Sequence, residues 1–415
     1  MKTKENIMPN TENNKPSVVN IPELISNVEV HMHTIDEDSK HPNQMMHSIA
    51  IVGAPGTAKT HTAQYTFRDM WAKRNGCKPE EVAVIVCRCA GRDAVEFIGM
   101  GVPQKETRLE RFKDQITTRN SVPDLIIEIE TARTLGHPST NGKPAKCVLV
   151  ILDEYLQGDA AVQKSGSSFV DRHENTLGGF DAGPDVMVVI TGNRTNDKSG
   201  ASKMMSMNTD RCASYELEGY TTTSIGNYAD YLKIKMVNPL LVHYVESHVD
   251  TAPWDNVMQD NRSHMTFRSF YRAAKTIETF FTLKSTVVLT EAITKAVTAI
   301  IGEAGANSVR GYLEQSAAGV PTREEIMADP ANCSMPAEMG GQAAAGNIAM
   351  LAVTDSSTAE KALEYISRMK TDLQVQLMAQ VLTISAKGGY IMSSDRASKF
   401  ISKHSSLLKL LKTFQ

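Results

Sequence analysis

The sequence contains no apolar run near the about 18 residues that a membrane-spanning helix requires. Its basic start, Met1-Lys2-Thr3-Lys4, is not followed by the apolar stretch of a signal peptide. Neither sign of charge dominates: 44 Lys plus Arg stand against 47 Asp plus Glu, a net charge of −3. That balance removes the overall electrostatic footprint of a dedicated nucleic-acid binder and leaves room only for a local basic patch. Aromatic residues make up only 6% of the chain and do not interleave with basic ones, as they do on single-strand platforms. The cysteines at 77, 87, 89, 147, 212 and 333 show neither a disulfide nor a zinc spacing, so reduced thiols in a cytoplasmic protein are expected. The His residues form no HExxH, His31-Met32-His33 alone is not a ligand set, and no GxSxG elbow occurs. Zinc-protease and serine-hydrolase chemistry are thereby set aside.

What is present is ordinary globular material, 415 residues with 41% apolar and 22% charged, enough to bury a sizeable core. Residues 1–17 are polar and read as a loose tail. From about 18 to 222, short apolar runs alternate with helical patterns, which predicts a parallel sheet covered by helices. The runs are 48–52, 82–87, 147–152 and 187–191, nearly all apolar as strands buried on both faces must be. Between the first two, Ala63, Phe67, Met70 and Trp71 recur at helical spacing and Gly76 closes the segment. Beyond 222 the pattern is helical, divided here into a lid over 223–300 and an all-α extension over 301–415. The Gly/Ala/Met-rich stretch 338–350 reads as a flexible joint. Ser357 with Glu360 predicts a capping box. The chain ends in a basic amphipathic pattern with Lys399, Lys403, Lys409 and Lys412, expected to pack on its own domain or to dock a partner.

The first apolar run leads into Gly53-Ala54-Pro55-Gly56-Thr57-Ala58-Lys59-Thr60 and then a helix, the strand–loop–helix setting of a phosphate loop. Such a loop turns its backbone N–H groups inward, which explains the glycines, and the helix N-terminus behind it favours anions. Lys59 would reach the β- and γ-phosphates of ATP, and Thr60 would ligate Mg²⁺. Ala58 stands where glycine is usual, and its methyl is expected to require a negative φ. The third run ends in Asp153-Glu154, a carboxylate pair at the C-terminal end of a parallel strand. Asp153 suits Mg²⁺, and Glu154 suits the activation of an attacking water. The fourth ends in Thr191-Gly192-Asn193-Arg194, where Asn193 suits a sensor of the γ-phosphate or of that water.

The segments GAPGTAKT, ILDEYLQG and VITGNRTND, in this order and spacing, resemble the AAA+ ATPases, specifically their MoxR-like branch. Ala before the loop lysine is frequent in that branch, and the stretch from Val84 through Pro103 is similar to its second strand and following loop. The likeness covers roughly residues 47–275. It implies an α/β nucleotide-binding domain with a helical lid, Mg²⁺-dependent ATP hydrolysis and a hexameric ring. It further implies work on a protein partner, often one with a von Willebrand factor A domain. Asn208-Thr209-Asp210-Arg211 resembles the segment carrying the arginine finger, with Arg194 and Arg172 as competing candidates. Thr266-Phe267-Arg268-Ser269 resembles the second sensor, so Arg268 would touch nucleotide, although Phe267 replaces the usual Pro. The loop at Phe97-Ile98-Gly99 would either face a central pore or bury its aromatic ring. A nucleic-acid motor or helicase loader is the alternative function. A non-hydrolysing scaffold is disfavoured by the intact Glu154 and Asn193.

Overall fold

The computed structural model describes residues 17–107, 110–197, 200–249, 254, 263–389 and 402. Of the expected tail over 1–17, residues 1–16 lie outside them, as does the basic C-terminal pattern apart from position 402; Ser17 already belongs to a strand. The chain divides into two compact units, Met1–Glu218 and Gly219–Gln415.

The described strands of the first unit are β1 (Ser17–Val19), β2 (Ser48–Val52), β3 (Val82–Arg88), β4 (Gly101–Lys105), β5 (Ile116–Asn120), β6 (Cys147–Asp153), β7 (Thr176–Leu177), β8 (Phe180–Asp181), β9 (Val186–Gly192) and β10 (Cys212–Leu217). Six of them form one sheet in the order β1-β10-β2-β9-β6-β3, every neighbouring pair parallel. The apolar runs produce this because both faces are covered. Along β6, Val148, Val150 and Leu152 enter one core with Ile85 and Phe169, while Cys147, Leu149 and Ile151 enter the other with Phe67 and Trp71. Register pairs Ile51 with Thr191 and Arg88 with Asp153, so the C-terminal ends of β2, β9 and β6 share one sheet edge.

Two small antiparallel hairpins, β4–β5 and β7–β8, interrupt this pattern. Phe97, just before the first, is buried, so the ring packs in the core, while Val95, Ile98, Met100 and Val102 around it are exposed. Gly99 turns the chain with φ +80°, and a Cβ at that position would lie 1.9 Å from the Ser121 carbonyl oxygen. Only glycine fits.

The second unit is helical among its described residues, with helices from Thr222–Ile234 to Thr371–Gly388 around one apolar core. The expected boundary at 300 falls inside the helix Glu291–Ala317, close to Gly302, whose φ of 77° and ψ of 168° break the helical path. The stretch 338–350 is not a flexible joint but the buried helix Met339–Leu351. Its small residues serve close packing: a Cβ on Gly346 would stand 2.3 Å from Leu377 Cδ1. The helix Ser356–Ile366 is capped by Asp355 with Thr358, two residues earlier than the expected box of Ser357 with Glu360. No helix among the described residues is long and apolar enough to cross a membrane.

Candidate nucleotide site

The loop between β2 and the following helix folds on itself through its own carbonyls. The Gly53 N–H donates to the Gly192 carbonyl on neighbouring β9 (3.3 Å), and the Thr57 hydroxyl donates to the Ala54 carbonyl (2.8 Å). Gly56 takes φ +79°, a turn that leads to a helix starting at Lys59. The first N–H groups of any helix lack intrahelical carbonyl partners, and here they open toward the loop. Ala58 departs from expectation. Its φ is +64° and ψ +16°, the left-handed region, not a negative φ. The loop must reverse immediately before the helix begins, and the Ala58 carbonyl is already accepting from the Thr62 N–H (2.8 Å). The reversal therefore falls on Ala58, at a cost of about 1–2 kcal/mol for an L-residue.

Lys59 is buried, and its ammonium group donates to the carbonyls of Gly53 (2.8 Å) and Ala54 (2.7 Å) and to Asn193 Oδ1 (3.1 Å). Asn193 thus leaves β9 directly beside the loop, because β9 lies between β2 and β6 in the sheet. On the other side of the same edge, Thr60 Oγ1 donates to Asp153 Oδ1 (2.8 Å). A second hydroxyl, Thr191 Oγ1, donates to that same oxygen (2.6 Å). Thr191 was missed by sequence reasoning. The available signal was a buried hydroxyl in an apolar strand, two residues before Asn193, where side-chain alternation places it on the same face. Hydroxyl and carboxylate oxygens are the hard donors that Mg²⁺ takes alongside phosphate and water, so Thr60 and Asp153 fit that ion.

Glu154 is exposed and sits at φ +54°, ψ +33°, which ends β6 in a sharp turn. The turn sends Glu154 outward and the next residue, Tyr155, into the core. A left-handed Glu without a side-chain cap is a strained conformation, of the kind that clusters at functional sites.

The arginines separate clearly. Arg172 is fully buried, donating to Asn175 Oδ1 (2.6 Å) and to the Val186 carbonyl, and burial lowers its pKa to about 9. It is a core residue of its own subunit, so it is withdrawn as a finger candidate. Arg194 pairs with Asp197 (2.9 Å), three residues along its own turn. Arg211, just before β10, pairs with Asp171 at 3.2 Å and is about one quarter exposed. Arg268 lies in the second unit, exposed near the start of the helix Phe267–Lys284. Phe267 beside it stacks on Tyr228 with ring centroids 4.3 Å apart, which is the use this chain makes of an aromatic where proline is usual.

A glycine-turned loop joining a parallel strand to a helix, with a lysine inside it and a carboxylate on a nearby strand, decides the architecture. This is an α/β P-loop fold. No protein-family model and no curated protein matches the chain. Among solved structures it is similar to the ORC2 protein of Aeropyrum pernix, solved in ADPNP and ADP complexes, at 12% identity over 95% of this chain and 88% of that one, TM-score 0.39. It is similar to Cdc6p of Pyrobaculum aerophilum at 11% identity, 95% and 93% coverage, TM-score 0.38. It is also similar to the RuvB Holliday junction branch migration motor of Thermotoga maritima at 14% identity, 74% and 80% coverage, TM-score 0.34.

Proposed function

We propose that this P-loop protein is an ATPase of the AAA+ type. One observation carries the reading: Lys59 with Asn193, and Thr60 with Asp153, meet within hydrogen-bonding distance at one sheet edge, with Glu154 exposed next in sequence. In this reading the Lys59 ammonium exchanges carbonyl partners for the β- and γ-phosphate oxygens of ATP. The N–H groups of Ala54 and of residues 56–60 supply the rest of the cradle, Pro55 having none. Thr60 and Asp153 would hold Mg²⁺, which neutralises charge on the phosphates. Glu154 takes a proton from the attacking water, and the Asn193 amide orients that water or the γ-phosphate. Arg211 reaches the γ-phosphate of a neighbouring protomer, a guanidinium placed where negative charge spreads in the transition state. Its partly exposed pair with Asp171 is weakly held and exchanges readily for a phosphate. Arg268 is the candidate for a further cis contact to nucleotide, on the strength of the motif alone. A finger given to a neighbour requires an oligomer, and a hexameric ring is the form the motif resemblance implies.

For the work driven by hydrolysis, the MoxR-like resemblance supports remodelling of a protein partner, with a von Willebrand factor A domain as the named possibility. A motor or loader on nucleic acid is the second reading, and the similar RuvB structure is that of a Holliday junction branch migration motor. Anisotropy and ATPase rates with single- and double-stranded DNA and RNA across a salt series separate them. The protein-partner reading predicts weak binding at physiological salt and little stimulation. Submicromolar binding with a several-fold rate increase, and a log–log salt slope of about 0.9 per neutralised phosphate on duplex DNA, would install the second reading instead.

A further inference from the structure

The turn that follows the acidic pair is tied, inside the same subunit, to the segment that presents Arg211. Tyr155, the residue after Glu154, is fully buried, and its hydroxyl donates to the Gln163 carbonyl (2.8 Å). Asn208, three residues before Arg211 and equally buried, donates from Nδ2 to the Tyr155 hydroxyl (3.2 Å) and to that same carbonyl (3.2 Å). Gln163 completes the tie. Its Nε2 donates to Ser202 Oγ (2.9 Å), its Oε1 accepts from the Met205 N–H (3.3 Å), and Ser202 bonds back to the Leu156 carbonyl. A Cβ on Gly166 would approach the Tyr155 hydroxyl to 3.1 Å, so the ring fills a slot with little room to move.

None of these bonds is made by a residue of the phosphate loop, by Asp153 or by Asn193. They join the turn at 155–157 to the approach to Arg211 at 202–208, and nothing in the packing of an apolar core requires a tyrosine hydroxyl or an asparagine there. Buried polar groups of this kind specify one arrangement at a cost in desolvation, which Asn208 Oδ1, buried without a hydrogen-bond partner, increases. Burial raises the Tyr155 pKa strongly, while the Asn208 bond and the nearby Arg211 charge act in the opposite direction, which places the guanidinium within electrostatic reach of this network.

We infer that Asn208, anchored on the Tyr155 hydroxyl, is a positioning residue for Arg211, so that the Glu154 turn and the arginine offered to the neighbour move as one piece. A shift of the turn on hydrolysis in one subunit is then carried to the finger presented to the next. The inference rests on the Arg211 reading given above.

The test is a double-mutant cycle in the full-length protein. Tyr155→Phe keeps the ring and removes one hydroxyl; Asn208→Ala removes the anchor. Turnover, KM for ATP and affinity for a fluorescent ATP analogue are measured for each, alone and combined with Arg211→Ala, with thermal melts as the folding control. Single variants are expected to lose about five- to ten-fold in kcat, the scale of one to one and a half hydrogen bonds, with nucleotide affinity unchanged. In the Arg211→Ala background they are expected to lose nothing further, because their effect acts through that guanidinium. Losses that multiply with that of Arg211→Ala would overturn the inference, as would Tyr155→Phe with wild-type turnover. Wild-type turnover in Arg211→Ala itself would instead remove the finger assignment. Tyr155 and Asn208 variants that were slow in that case would belong to the Glu154 turn alone.

Discussion

Replacing Ala58 with glycine tests the loop geometry by the sign of its effect. At φ +64° the Ala58 methyl crowds the following carbonyl, a cost of about 1–2 kcal/mol, whereas glycine gives back about 0.5–1 kcal/mol through greater freedom in the unfolded chain. Ala58→Gly is therefore expected to stabilise the first unit by roughly 0.5–1 kcal/mol. For a unit of this size that raises its melting temperature by about 1–4 °C. Scanning calorimetry without nucleotide follows the unit directly, and Ala58→Val supplies the opposite perturbation, since a β-branched side chain tolerates the left-handed region worse than alanine. Had φ been negative, glycine would destabilise by about 0.5–1 kcal/mol. A lower melting temperature in Ala58→Gly, or an unchanged one in Ala58→Val, would refute the left-handed assignment.

Arg211→Ala subunits doped into wild-type protein should depress ATPase activity more than dilution does, because each inactive finger disables a neighbour's site; a strictly proportional loss in the mixing curve would argue for a cis or structural role. Gly346→Ala should destabilise the helical unit by about 1–3 kcal/mol in chemical denaturation, since the new methyl meets Leu377 at 2.3 Å; a neutral effect would mean that the two helices separate freely.

Much of the first unit was legible because parallel strands buried on both faces leave continuous apolar runs, and the four runs at 48–52, 82–87, 147–152 and 187–191 became β2, β3, β6 and β9. β10 escaped because Cys212–Leu217 mixes Ser214 and Glu216 among its apolar residues, as a strand nearer the sheet edge can. The site residues from Lys59 to Asn193 were legible as motifs, yet the motifs carry no record of backbone angle, so neither Ala58 nor Glu154 announced its positive φ. Arg172 shows the opposite failure. A guanidinium held by Asn175 and a strand carbonyl looks, in sequence, like any other arginine. In the second unit, glycine and alanine suggested looseness at 338–350. They can equally mark two helices in close contact, and only the partner side chain, Leu377, distinguishes the cases.

Hydrolysis at the Lys59–Asp153–Glu154 edge is decided by ATP affinity and turnover measured side by side in wild type, Lys59→Ala and Glu154→Gln. Lys59→Ala is expected to lose ATP binding, because the phosphates lose the ammonium that Asn193 now holds beside the loop. Glu154→Gln is expected to bind ATP as wild type does while turnover falls by at least about 100-fold, since only the group that takes the proton is gone. Wild-type affinity in Lys59→Ala would remove the phosphate loop from ATP binding, and wild-type turnover in Glu154→Gln would remove Glu154 from hydrolysis.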